Sequence, residues 1–507
     1  MAEPLPRSGR TGIPSRRGFL LGATALGLGA PGLALARAPL SPECGWCAPS
    51  EAAWRDLGER AGGQVLRPGE AGFLERAVPQ NLRYRRVQPQ AIARCTSPEI
   101  VASVIDWCQA MDMPFAIRGG GHSYAGHSSS AGILIDLSPM KRVHHDAATG
   151  QVTVEAGALN VDVARGLEGA SAVITHGRCP SVGIAGFLLG GGIGFNMRRF
   201  GMGSDLMRAA EIVTADGRVR NVSDSSEPDL FWALRGGAGG NFGVATSFTL
   251  ATHPVDRSIT VFSLRWNMKS EAVARAFIAA AERAPDHFAS RFSLGAASPA
   301  QRGKGQEVHF DLLGQHAGPK AELLDILAPV LAIAQPERSV IEERSYWRGQ
   351  DFLAEPGEPG FYQERSGFVR ERLDDRILEC GFRQLRDWPG TEVGADLRFF
   401  QTGGAVNRMA PDATAFVHRD SAWLFSIGLE WSARDQVTPE AIAPARRWQD
   451  AFYAEMRELC GRAAYQNFPD PSLVNWREAY YGANLSRLER VKATVDPFGL
   501  FRHEQSL

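Results

Sequence analysis

Glycine is concentrated at a few points where the backbone must do something other residues prevent. Of 55 glycines in 507 residues, the densest runs are Arg118-Gly119-Gly120-Gly121-His122-Ser123-Tyr124, Gly177-Arg178-Cys179-Pro180-Ser181-Val182-Gly183 with Gly186, and Gly190-Gly191-Gly192-Ile193-Gly194. A backbone without Cβ can approach another group closely or bend through conformations that side chains forbid. Phe115-Ala116-Ile117 reads as a short apolar strand feeding the first run. Consecutive glycines after a strand let successive N–H groups converge on an anion such as a diphosphate, and Ser123 adds a hydroxyl donor. Taken alone, that motif reads equally well as a tight turn that holds a histidine.

The glycines do not make a dinucleotide loop of the nicotinamide type. That fingerprint needs G-x-G-x-x-G between a strand and a helix. Counted from Gly190 the third glycine falls on Phe195, and from Gly237 it falls on Phe242.

Residues from about 90 to 250 alternate helix and strand. Ser97-Pro98 is a helix start, with Val101, Val104, Ile105, Cys108 and Met111 at helical spacing behind it. Residues 133–137 read as a strand, 143–145 with 152–155 as a hairpin around Thr149-Gly150, and 210–221 as a hairpin turning at Asp216-Gly217. From 255 to 460 glycines thin out. Helical stretches at 272–283 and 439–459 alternate with strand-like runs at 397–401 and 423–431, and the Pro/Gly-rich residues 355–360 read as a surface loop. The last 45 or so residues return to the motif-rich style, which implies one domain inserted into another.

The first residues stand apart. Ser15-Arg16-Arg17-Gly18-Phe19-Leu20 is a twin-arginine pattern, an apolar stretch follows to residue 36, and Ala34-Leu35-Ala36 offers small residues for cleavage. The competing reading is an uncleaved anchor, but the stretch is short and broken by Pro31, where a spanning helix needs about 20 apolar residues. The expectation is therefore an exported protein, delivered by the twin-arginine machinery, beginning near Arg37 and without stable membrane insertion once the signal is gone. A net charge of −1 gives no reason to expect nucleic acid as a partner. Export permits disulfides among Cys44, Cys47, Cys95, Cys108, Cys380 and Cys460. Cys44-Gly45-Trp46-Cys47 lacks a second ligand pair, so it reads as a local disulfide or two free thiols, and no cluster in the sequence has metal-ligand spacing.

Together the glycine motifs resemble the berberine-bridge-enzyme-like oxidases of the vanillyl-alcohol-oxidase flavoprotein superfamily, over nearly all the chain from about Pro89 to Leu507. Thr214-Ala215-Asp216-Gly217, Asp229-Leu230-Phe231-Trp232-Ala233-Leu234-Arg235-Gly236-Gly237, Gly239-Gly240-Asn241-Phe242-Gly243-Val244, and Tyr480-Tyr481-Gly482-Ala483-Asn484 with Asp496-Pro497 carry the same resemblance. It implies an α+β fold in which a PCMH-type FAD-binding domain of two α/β subdomains spans residues 37–254 and is completed by 461–507. Between these, residues 255–460 are expected to form an inserted α/β substrate domain built on an antiparallel sheet, and residues 1–36 are the signal.

The resemblance also implies the cofactor and its attachment. FAD is expected to be bicovalent, through its 8α carbon to His122 and through ring position 6 to Cys179. The remaining cofactor contacts implied are Arg118, Gly119, Gly120, Gly121, Ser123, Val182, Gly183, Gly186, Gly192, Val244 and Asn484. Val182, three residues after the cysteine, stands where the family gates dioxygen, and a small side chain there implies access. The family's base is usually a tyrosine in a Tyr-x-Asn-Tyr-like pattern. Here Tyr465-Gln466-Asn467-Phe468 keeps the first tyrosine and replaces the second, so Tyr465 is the expected base with Tyr481 and Tyr124 as rivals. No carboxylate follows Gly403-Gly404, so the ring closure of berberine bridge enzyme itself is not expected. Strands present alternate residues to one side, which makes Gln401, Asn407, Trp423 and Phe425 candidates for the substrate pocket, against a plain core role for the aromatics.

The function implied is an FAD-dependent oxidase acting on a small molecule. It would remove hydride from an alcohol or hemiacetal of a carbohydrate, glycoside or secondary metabolite, with dioxygen as acceptor and hydrogen peroxide as product. The alternatives are a non-catalytic flavoprotein of the same fold and a flavin dehydrogenase with another acceptor.

Overall fold

Among the described residues three large sheets and one two-stranded pairing, Ala172–Val173 with His253–Pro254, carry the chain, and the order of the strands follows from where the sequence turns and where it must cross over. The computed structural model describes residues 49–297, 308–391, 393–431 and 438–507. The expected signal and the Cys44/Cys47 pair lie outside the described residues.

The first sheet runs Val65–Leu66, Ala91–Arg94, Ile133–Asp136, Phe115–Arg118. Its last three strands are parallel, so the chain must cross over between them. The helix Pro98–Ala110 makes one crossing and starts as the sequence predicts: the Ser97 hydroxyl accepts from the Ile100 N–H and Pro98 opens the first turn. Val101, Val104, Ile105 and Cys108 form its buried face. Ile133–Asp136 is buried along its whole length, which is why its sequence shows no polar alternation until Asp136.

The second sheet is wholly antiparallel, in the order Val143–Asp146, Gln151–Glu155, Val244–Ala251, Met207–Val213, Val219–Ser223. Both hairpins read from the sequence form, one at each edge. Val244–Ala251 enters between them from far along the chain and carries Val244 to the sheet's centre.

The third sheet has seven strands, all antiparallel, drawn from residues 258–431. Helices Ser270–Arg283, Asp375–Arg386 and Pro439–Cys460 pack against it. Strand alternation decides what faces them. Phe292, Phe399 and Trp423 meet Phe277 of the first helix or one another, with Phe292–Trp423 ring centroids 5.2 Å apart and Phe292–Phe399 4.7 Å. Alternate residues on the same strands, among them Arg291, Arg398, Phe400 and Ser426, face the opposite way. There they line a cavity against the glycine motifs.

After this sheet the chain returns to the first part. Helix Leu485–Val495 places Lys492 so that its buried ammonium donates to Asn241 O at 2.6 Å, Asp496 at 2.8 Å and Phe501 O at 2.5 Å. No disulfide forms among the described cysteines: Cys95, Cys108, Cys179, Cys380 and Cys460 are all free.

Candidate functional site

The site begins with two glycine loops in backbone contact. A Cβ on Gly120 would lie 2.2 Å from Gly183 N, and one on Gly183 would lie 2.3 Å from Gly120 N, so neither position tolerates a side chain. This approach draws together the residues that follow each glycine. His122 Nε2 is 3.0 Å from Ser181 Oγ, and the same oxygen is 3.5 Å from Cys179 Sγ. Ser181 therefore touches both expected attachment points. Burial pulls His122 down to about 4, so its imidazole is neutral and keeps a nucleophilic lone pair at neutral pH.

From these residues a cavity of about 450 Å³ extends beneath the third sheet. Gly119, Gly120, Gly121, Ser123, Val182, Gly183, Gly186 and Val244 line it. Three expected cofactor contacts do not. Arg118 turns away, its guanidinium donating to the carbonyls of Ser128, Ala77 and Arg76. Gly192 stands behind the cavity and gives its N–H to the Tyr465 hydroxyl at 3.0 Å. Asn484 spends its amide on the carbonyls of Pro411 and Thr414, at 2.8 and 3.1 Å, tying the last segment to a neighbouring loop.

The cavity has the polarity of a cofactor seat. His127 Nε2, Ser128 Oγ, Gln466 Oε1 and His503 Nε2 are buried along it without hydrogen-bond partners. Buried polar groups are nearly always satisfied, so four orphans on one surface mark where a polar group of another molecule belongs. His127 and His503 stack with centroids 3.9 Å apart, and burial pulls them down to about 4 and about 2. Uncharged imidazoles, hydroxyls and close-packed glycine backbone suit a flavin with its ribityl and diphosphate arms. The residues present fit FAD.

The far wall belongs to the third sheet, and here the sequence expectations divide. Gln401 turns its side chain to the helix side with its register partner Trp423, the amide nitrogen donating to Ala281 O of the covering helix at 2.9 Å and the amide oxygen accepting from Ser290 Oγ at 2.8 Å, yet the residue still borders the cavity. Trp423 and Phe425 do not, because alternation turns them to the helix side, and Asn407 donates to Ser421 O at 2.9 Å outside the cavity. Tyr465 lines the cavity fully buried; burial pushes its phenol up to about 12, and the oxygen accepts from Gly192 N and Asn467 Nδ2. Tyr481 lines the cavity from the C-terminal side, its hydroxyl donating to Gly237 O at 3.3 Å, and Tyr124 packs between Tyr362 and Phe468. Burial raises both phenols.

A charged group on this wall was not anticipated from the sequence. Glu364, 4% exposed, accepts from Arg398 Nη1 at 3.0 Å and from Ser426 Oγ. Burial outweighs the arginine and pushes its carboxyl up to about 7. Glu355 pairs with Arg178 beside Cys179, so the Pro/Gly-rich residues 355–358 are a rim of the cavity and more than a surface loop. The strand Phe361–Arg370 was the missing signal, since its period of two places Tyr362 and Glu364 on one face. Elsewhere, His287, His316 and Glu322 bring ligand atoms within 4.8 Å of one another, a grouping that chain spacing does not reveal, and none of them lines the cavity.

Comparison with known proteins fits this geometry. The FAD binding domain family matches residues 89–223, and the family described as berberine and berberine like matches 464–507. The uncharacterized FAD-linked oxidoreductase YgaK of Bacillus subtilis is 31% identical over 455 residues, covering 88% of this chain and 96% of its own. Xylooligosaccharide oxidase of Thermothelomyces thermophilus is 28% identical, covering 83% of this chain and 87% of its own. Among solved structures, wild-type BBE-like 1 of Physcomitrella patens aligns with a TM-score of 0.78 at 26% identity, over 89% of this chain and 98% of that one.

Proposed function

This chain belongs to the berberine-bridge-enzyme-like FAD-linked oxidoreductases, and on that premise we propose that it is an oxidase of small-molecule alcohols or hemiacetals. Its substrate is a carbohydrate, glycoside or secondary metabolite, and dioxygen is the final acceptor, released as hydrogen peroxide. The observation that carries this reading is Ser181, whose hydroxyl lies 3.0 Å from His122 and 3.5 Å from Cys179 at one end of a cavity with a polar opposite wall. A relative named xylooligosaccharide oxidase supports the substrate class. Bound FAD supplies the two-electron acceptor.

The chain's own residues do the rest. His122, neutral, and Cys179 would hold the cofactor covalently at two points, with the Ser181 hydroxyl in contact with both. Val182 lines the cavity, and its small side chain would admit dioxygen to the bound cofactor. Tyr465 takes the substrate's hydroxyl proton as its phenolate, after giving up its own proton; the Gly192 N–H and Asn467 amide, both donating to its oxygen, favour that charged form against burial. A second reading of the base has its own observation: a carboxyl held near 7 in the same wall is matched to proton transfer at neutral pH, and that group is Glu364. The twin-arginine pattern supports export, and secreted protein beginning near Arg37 is the expected result of N-terminal sequencing.

A peroxide-release screen of sugars, glycosides and polyphenols tests the activity, and silence across all classes under air rejects it. Acid precipitation tests the attachment. A yellow pellet is expected from the wild type, from His122→Ala and from Cys179→Ala singly, and a colourless one from the double variant. Flavin that washes out of the wild type overturns covalent binding.

A further inference from the structure

Three arginines lie close together on the substrate side of the cavity, and two of them are neutralised where they stand. Arg178 is paired with Glu355, and Arg398 holds Glu364 at 3.0 Å and Asp396 at 2.6 Å. Arg291 is different. It stands within the strand Phe288–Ala296 opposite Phe400, its guanidinium carbon 5.9 Å from that ring's centroid. Its Nε is buried without a hydrogen-bond partner, and among the described residues no carboxylate forms an ion pair with it. The charges that act on it most strongly are those of Arg178 and Arg398, which repel it.

A half-buried guanidinium lining a cavity beside two like charges is costly to keep without a direct counter-ion. The Phe400 ring orients it but supplies no counter-charge. The nearby carboxylates are committed elsewhere, since Arg398 holds Glu364 and Asp396 and lies 3.7 Å from Glu430. A planar fork of donors with no protein acceptor is matched by a carboxylate, which it binds through two parallel hydrogen bonds.

We propose that Arg291 is the receptor for a carboxylate carried by the substrate, so that the alcohol or hemiacetal oxidised here is acidic: a sugar acid or similar hydroxy-carboxylate. This inference rests on the oxidase reading above and narrows it. Glu355 and Asp396 attract Arg291 without pairing with it, and the substrate brings the direct counter-ion; its neutral analogue leaves Arg291 unpaired at the cost of that ion pair.

The pairs D-glucuronate/D-glucose and D-galacturonate/D-galactose isolate the contact. Within each pair the hemiacetal is shared, and the members differ in a carboxylate against a hydroxymethyl group. Holoenzyme is titrated anaerobically with each sugar, reading flavin bleaching for oxidation and calorimetry for binding. The acidic member is expected to bind about tenfold tighter or better, with a preference that weakens as salt is added. Arg291→Gln is expected to erase that preference and Arg291→Lys to restore part of it. Tight uronate binding that needs Arg291 but bleaches no flavin leaves the carboxylate receptor standing and counts against oxidation of these hemiacetals. Equal binding within each pair, or no binding at all, overturns the proposal. So does a uronate preference that survives Arg291→Gln in a variant with wild-type Tm and flavin content.

Discussion

Glu364 is a carboxyl whose surroundings set its proton affinity against its own pairing. Arg398 favours the charged form, but burial between strands outweighs it and raises the group from 4.5 to about 7. The sign of the consequence is fixed by linkage. Across pH 4.5 to 7 the unfolded chain has lost this proton while the native protein keeps it, so stability falls as pH rises through that interval. Glu364→Gln is expected to flatten the slope, measured as urea midpoints from pH 4.5 to 8. The same variant decides between the two readings of the base. If Glu364 accepts the substrate proton, kcat/KM rises with pH through about 7 in the wild type, and Glu364→Gln loses both the inflection and most of the rate. If Tyr465 accepts it, Glu364→Gln keeps most of its turnover and Tyr465→Phe does not. The tyrosine was legible in the sequence because it sits in a short pattern. The glutamate was not, because its role depends on Arg398 and Ser426, which reach it from strands 34 and 62 residues away in the chain.

At the scale of elements, the glycine loops were the most readable part of the chain and the substrate wall the least. Consecutive glycines have few structural uses, and here Gly120, inside such a run, must lack a Cβ because one would lie 2.2 Å from the backbone nitrogen of Gly183, a glycine required for the same reason in return. Gly120→Ala is expected to lower the Tm by several degrees and to prevent flavin uptake. Gly169→Ala, where an added Cβ meets nothing within 4 Å, is expected to change stability by less than about 0.5 kcal/mol. Differential scanning fluorimetry with flavin quantitation checks both. The substrate wall resisted because alternation along a strand says which residues share a face and not which face meets the helices. Of the two roles open to Trp423 and Phe425, pocket or core, the structure gives both the core. Phe277 of the covering helix settles the matter, and it is distant in sequence.

At the scale of the whole molecule, the insertion of the third sheet requires ties between segments that are far apart in the chain. The strongest is buried. Arg419 grips Asp205 through two bonds of 2.7 Å, with side chains 1% and 4% exposed, and joins the loop before Ser421–Trp431 to the segment after the last glycine run. Arg419→Met leaves Asp205 as an uncompensated buried charge and is expected to cost about 3–5 kcal/mol in chemical denaturation. The double variant Arg419→Met/Asp205→Leu is expected to recover much of the loss, since removing both charges removes the penalty for burying either.

The two walls of the cavity are held by different means. Beside His122 and Cys179, Gly120 and Gly183 pack backbone against backbone, and a side chain on either displaces the main chain. Opposite, Arg291, Arg398, Phe400 and Ser426 hang from strands whose register is fixed by their own hydrogen-bonded ladders. A side chain there can be exchanged while the frame stays where it is. The protein thus separates an electron-accepting seat that inheritance must preserve from a surface that selection can rewrite one codon at a time. An engineer seeking another substrate has reason to begin with those strand positions.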